Sequence, residues 1–183
     1  MNSAGYGRQT ASTLSRRSVM RKVILAIIAA MVAMWTFTMA AMAATVDYDR
    51  QEYARVLEVM TDKEVDELCR VLFLECRGES FEGKVACVET IFNRVMSENF
   101  PDSVHEVLSE PGQFSTWKHI DTAYDVDESD TSIQQGEICR AIMYVYDNGR
   151  TVLPSEKYVY FDTRGINGRE HIRIDNQFFG RER

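Results

Sequence analysis

The sequence predicts an α+β fold in which three to four helices precede a small C-terminal β-hairpin or sheet. Two observations point there. Apolar residues recur at helical spacing between Thr61 and Gly149, and from Lys157 onward the pattern changes to strand-like alternation. The composition, 45% hydrophobic and 27% charged over 183 residues, fits one globular domain plus an accessory segment.

The accessory segment is residues 1–44. "SRRSVMRKVILAIIAAMVAMWTFTMAAMAATVDYD" has a basic start, a long apolar run from Val23 and a small-residue "AMA" before Ala44. It reads as an export signal, and Arg16 and Arg17 sit where a twin-arginine route would place them. The apolar run, residues 23–43, is also long enough for an uncleaved membrane anchor, so both outcomes stand. Met31, Met34, Met39 and Met42 belong to this segment and indicate no cofactor. In either case the body is expected outside the cytoplasm, with the bases left inside.

That body is acidic. Five of the 21 basic residues lie before residue 44, which leaves 16 against 28 acids and a formal charge of −12. Phosphate contacts need clustered Lys and Arg, so a nucleic-acid partner is excluded on electrostatic grounds. Cys69, Cys76, Cys87 and Cys139 are sparse for a disulfide scaffold and read as buried small side chains, with one bridge among them left open. Cys69 and Cys76 cannot pair with each other on one helix, where seven residues span about 10 Å. No Cys or His spacing suits a metal.

Residues 45–60 form a mixed, partly helical lead-in or linker. The first clear helix begins at "TDKEVDEL", where Thr61 and Glu64 make a capping-box pattern. Its apolar stripe runs Val65, Leu68, Leu72 and then Glu75, with Gly78 as the stop. A second helix opens at Ser80 and buries Val85, Val88, Ile91 or Phe92, and Val95, with Pro101 beyond its end. A short helix from Ser103 leads to "PGQFSTW", where Pro111 and Gly112 turn the chain and present Gln113 and Phe114. "DVDESDTS" reads as an acidic loop, and "IQQGEICRAIMYVYDNG" as an amphipathic helix stopped at Gly149. "KYVYFDT" and "EHIRIDNQFF" read as two strands joined at "RGING", with Tyr160 and Phe161 in the core.

Glu75 is the residue that does not fit its stripe. A carboxyl on a buried face in the last turn of a helix loses hydration and meets the negative helix end, both of which favour its protonated form. Such an acid can deliver a proton to a glycosidic oxygen. The competing reading is a slight rotation of the helix that leaves Glu75 exposed or paired with Arg77 or Arg94.

"LECRGESFEGKVACVETIFNRVMSENFP", "EPGQFS", "VYFDTRG" and "IDNQFF" together resemble the bacterial cell-wall hydrolases of the spore-cortex-lytic type. That family carries an E-A-R-G-E pattern, a helix ending in N-R, a P-x-Q-F turn and a terminal G-N-H-x-F, and the resemblance runs from about Leu68 to Phe179. It implies a lysozyme-like fold, with residues 61–183 as the catalytic domain and no cofactor. It further implies a lytic transglycosylase cleaving the β-1,4 bond between N-acetylmuramic acid and N-acetylglucosamine in peptidoglycan. Glu75 matches the catalytic acid. Glu79, Asn93, Gln113, Phe114, Asn176 and Gln177 are the candidate substrate-binding residues, with Glu79 a structural or orienting partner ahead of a second catalyst. Asn93 and Arg94 are also placed to hold Glu75 across the helix corner.

The chain departs from the family pattern where Gln177 stands in place of a His that could titrate. That substitution and the acidic body motivate an alternative, a catalytically weakened wall-binding or envelope interaction protein. His105, His119 and His171 match no catalytic position. An amide-cleaving wall enzyme would want zinc ligands that the sequence does not supply.

Overall fold

The computed structural model describes residues 50–125 and 128–182 together with Ala30, Met31, Ala33 and Met34; of residues 128–130 only the backbone is described. The export reading of residues 1–44, Met39 and Met42 included, falls outside the described residues apart from those four. Among the described residues no helix is long and apolar enough to cross a membrane.

The helices are α1 (50–59), α2 (Asp62–Cys76), α3 (Phe81–Met96), α4 (Val104–Ser109) and α5 (Glu128–Asn148), with a 3₁₀ turn at Trp117–Thr122 between the last two. The lead-in is therefore helical, and Tyr53 and Val56 are buried in the same core as the later helices. Thr61 and Glu64 form the expected capping box, each satisfying the other's backbone N–H. Ser80 and Ser103 cap α3 and α4 through their hydroxyls.

α3 is buried around nearly its whole circumference from Gly83 to Arg94, not along the single face its spacing suggested. It lies at the centre of the helical layer, against α2, α4, α5 and β1. Phe73, Phe92, Leu68, Leu72 and Ile91 are fully buried. Each contributes about 1.5–3 kcal/mol through apolar area removed from water. The acidic stretch read as a loop is partly helical, because α5 starts at Glu128; acids are well tolerated in a first helical turn.

The C-terminal segment forms three strands, β1 (Tyr158–Asp162), β2 (His171–Ile174) and β3 (Gln177–Arg181), in the antiparallel order β1-β3-β2. "EHIRIDNQFF" is thus two strands and not one. Asp175 takes a positive φ of 50° and turns the chain between Ile174 and Gln177, a conformation that Asp and Asn adopt more readily than most residues. The "RGING" segment crosses the sheet and packs Ile166 onto β3. A Cβ at Gly180 would stand 2.6 Å from Ile166 Cδ1, so a larger residue there would force the Ile166 side chain to move.

Candidate active site

The end of α2, the α4–3₁₀ connection and the sheet enclose a cavity of about 470 Å³. Glu75 forms one wall, although the stripe that led to it is offset from expectation. Val65 is 40% exposed, whereas Leu68, Val71, Leu72 and Cys76 are buried. This offset leaves Glu75 half-buried at the edge of the core and open to the cavity. Its Oε1 accepts a hydrogen bond from Thr116 Oγ1 at 2.5 Å, and its backbone carbonyl accepts one from Gln177 Nε2 at 3.3 Å.

Gly112, Gln113, Phe114 and Ser115 supply a second wall, with Gly112 at φ 84° making the turn. Phe161 and Asp162 from the end of β1 and Gln177 from β3 complete it. Phe161 lies at this wall, half-buried, and not in the core interior where the strand pattern put it. Asp162 is a second carboxylate in the cavity. Arg164 holds it through hydrogen bonds at 2.6, 3.2 and 3.0 Å, which draw its carboxyl below the ordinary range.

The remaining candidates fall into two groups. Glu79 and Asn176 do not line the cavity; they join the β2–β3 turn to the α2–α3 corner. Glu79 Oε2 accepts from the Asn176 N–H at 3.1 Å, and Asp175 Oδ2 accepts from the Ser80 N–H at 2.9 Å. Gly83 makes room for this junction, since a Cβ there would stand 2.9 Å from both Asp175 Oδ2 and Glu79 Cβ. Asn93 lies inside the core at 1% exposure, with its side chain committed to Tyr53 Oη at 2.5 Å and the Tyr158 carbonyl at 2.9 Å. It ties α1 and β1 to α3 and is away from the cavity wall. Arg94 does reach that wall, donating from Nε to the Val159 carbonyl at 2.6 Å. Neither residue hydrogen-bonds Glu75.

Thr116 escaped the sequence reading because its bond to Glu75 is a tertiary contact across 41 residues, with only the P-x-Q-F turn two residues before it as a signal. Asp162 lay inside the "VYFDTRG" stretch, but alternation along a strand does not show which residues reach a cavity. Among the described residues no cluster of three or more His, Cys, Asp or Glu could hold a metal.

Residues 78–179 match the cell wall hydrolase family, a span of more than half the chain, and the chain belongs to that family. The match begins three residues beyond Glu75. The spore cortex-lytic enzyme of Bacillus subtilis is 33% identical over 94 residues, covering 51% of this chain and 27% of that enzyme. The spore cortex-lytic enzyme of Halalkalibacterium halodurans is 36% identical over 55 residues, 30% of this chain and 17% of that enzyme. The chain thus spans about a quarter or less of the length of these relatives. The fold is similar to the catalytic domain of the germination-specific lytic transglycosylase SleB from Bacillus anthracis. The TM-score is 0.50 at 23% identity, over 67% of this chain and 98% of that domain. The α+β, lysozyme-like class expected from the sequence is the class observed.

Proposed function

We propose that this chain cleaves peptidoglycan glycan strands outside the cytoplasmic membrane, at the β-1,4 bond between N-acetylmuramic acid and N-acetylglucosamine, with Glu75 as general acid. The observation that carries this reading is the placement of Glu75 on the cavity wall, its carboxyl oriented by Thr116 and faced by Gln113 and Phe114. Proton delivery to the leaving oxygen typically accelerates such a step about 10²–10⁴-fold. As the muramyl C1 bond to the leaving oxygen breaks, the muramyl 6-hydroxyl would bond to C1 and give its proton to the Glu75 carboxylate left by the first transfer, closing a 1,6-anhydro ring as a lytic transglycosylase does and requiring no second catalytic carboxylate. Asp162, held ionised beside Arg164 in the same cavity, is the residue that two-carboxylate hydrolysis would call on, and the products decide between the two routes.

Residues 61–183 would form the catalytic domain, preceded by a segment that exports or anchors it. The second reading, a wall-binding protein of weakened activity, draws on Gln177. Its amide is bonded to the Glu75 carbonyl and cannot carry a proton to the reaction. Digestion of purified sacculi by the full chain, with mass spectrometry of the products, separates the two. Anhydromuramyl ends are expected, falling at least about a hundredfold in Glu75→Gln. Reducing ends would replace transglycosylation by hydrolysis. Undiminished release by Glu75→Gln would remove Glu75 from the mechanism, and binding without release would favour the second reading.

A further inference from the structure

Two polar side chains at this cavity have incomplete hydrogen bonding. Arg94 is 3% exposed and uses Nε on the Val159 carbonyl, but its Nη1 has no partner among the described residues. Gln177, also 3% exposed, uses Nε2 on the Glu75 carbonyl and leaves Oε1 without one. That bond fixes the amide's orientation, because the flipped amide would set its oxygen against the Glu75 carbonyl oxygen. The cavity wall thus carries one unsatisfied donor and one unsatisfied acceptor, both costly to bury alone. Three aromatic rings surround the guanidinium, with centroids 4.9 Å (Phe114), 5.5 Å (Phe100) and 6.0 Å (Phe161) from Arg94 Cζ.

We propose that Arg94 and Gln177 form a receptor for a secondary amide, the 2-acetamido group of an N-acetylated sugar. Arg94 Nη1 donates to the amide oxygen, Gln177 Oε1 accepts its N–H, and the Phe114 and Phe161 rings receive the methyl. A carboxylate would satisfy Arg94 but offer no donor to Gln177. A hydroxyl could serve both atoms but would give the rings nothing apolar to cover. Both polar atoms are closed to bulk water. Access to them therefore requires the acetamido group to displace the Phe114 ring, exchanging a cation–π contact for a charge-assisted hydrogen bond. Burial lowers the Arg94 pKa to about 10, with Tyr160, Glu110 and Glu75 opposing it, so the side chain keeps its charge at neutral pH.

The inference rests on the glycan reading of the cavity and is tested by binding, independently of turnover. Calorimetry would compare the N-acetylglucosamine tetramer with cellotetraose, the same neutral β-1,4 chain bearing hydroxyls in place of the acetamido groups. The full wild-type chain is expected to favour the acetylated tetramer by about tenfold or more, about 1.4 kcal/mol. That ratio should fall toward one in Gln177→Leu and in Arg94→Lys, whose folding is checked by thermal melting. Equal wild-type affinities, no binding of either tetramer, or an unchanged ratio in a folded Gln177→Leu or Arg94→Lys would overturn the assignment. Selective binding without sacculus cleavage would instead sink the catalytic reading and leave this receptor standing. Cleavage without selectivity would do the reverse.

Discussion

Glu75 and Glu89 are two glutamates in adjacent helices with opposite surroundings. Glu89 is the fully buried one, and burial pushes its carboxyl above the ordinary range, while the N–H groups of Thr151, Val152 and Leu153 act against the shift. Its oxygens receive those donors at 2.6, 3.1 and 2.7 Å, clamping the loop that follows α5. A buried acid is therefore no sufficient signature of a proton donor; access to a cavity is the added requirement, and Glu75 meets it. The Thr116 hydroxyl fixes which way the Glu75 carboxyl points. Replacing it with valine is expected to lower turnover about tenfold with KM little changed, and serine is expected to restore it, both read from steady-state release of soluble fragments. A parallel rise in KM alone would make Thr116 a substrate contact.

At the scale of elements, the β2–β3 turn and the α2–α3 corner act as one junction. Hydrogen bonds from Ser80 hold Asp175 below the ordinary carboxylate range. The folded-state pKa is depressed, so this stabilisation is present above about pH 3.8 and is lost as pH falls through the folded value. Asp175→Asn should flatten that acid limb in a melting-temperature series below pH 5, and an unchanged limb would assign the acid sensitivity elsewhere. The cysteines are a second property of helix pairing. Cys69 is in contact with Cys139 across α2 and α5, and Cys76 with Cys87 across α2 and α3, although all four are free thiols. Burial first, and then Cys139, pushes the Cys69 thiol up to about 12, which leaves the exposed Cys139 as the attacking group. Glutathione disulfide is expected to bridge Cys69 to Cys139 in the folded chain, and Cys76 to Cys87 only on refolding. Each bridge removes about 2 Da in intact mass, and peptide mapping identifies the partners. Crossed pairings or four persistently alkylated thiols would rule this out.

For the molecule as a whole, the body's formal charge of −12 sets how it would approach the anionic polymers of the proposed substrate. The Debye length shortens from about 30 Å at 0.01 M salt to about 8 Å at 0.15 M. Cleavage of sacculi that retain anionic polymers should accelerate over that range and change little on sacculi stripped of them. Loss of activity with salt on both would point to a local ion pair as the controlling contact. Part of this molecule could be read from its sequence: the turn at Gly112 and the caps at Thr61 and Ser80 came from local chemistry, whereas the stripe that pointed to Glu75 is rotated from the one its spacing suggested. What escaped was set by tertiary pairing. Asn93 looked like a helix-end site residue and is a core tie, because its partners Tyr53 and Tyr158 lie 40 and 65 residues away. The strand order escaped for the same reason, since alternation gives a strand's faces and not its neighbours.

That strand order governs when the site can exist during synthesis. β3 is the middle strand, yet it leaves the ribosome after every other element that builds the cavity. Until it arrives β1 and β2 have no shared partner, Ile166 has no Gly180 to lie on, and Glu75 lacks the Gln177 amide at its carbonyl. A chain truncated before Gln177 therefore lacks both the middle strand of the sheet and one wall of the cavity.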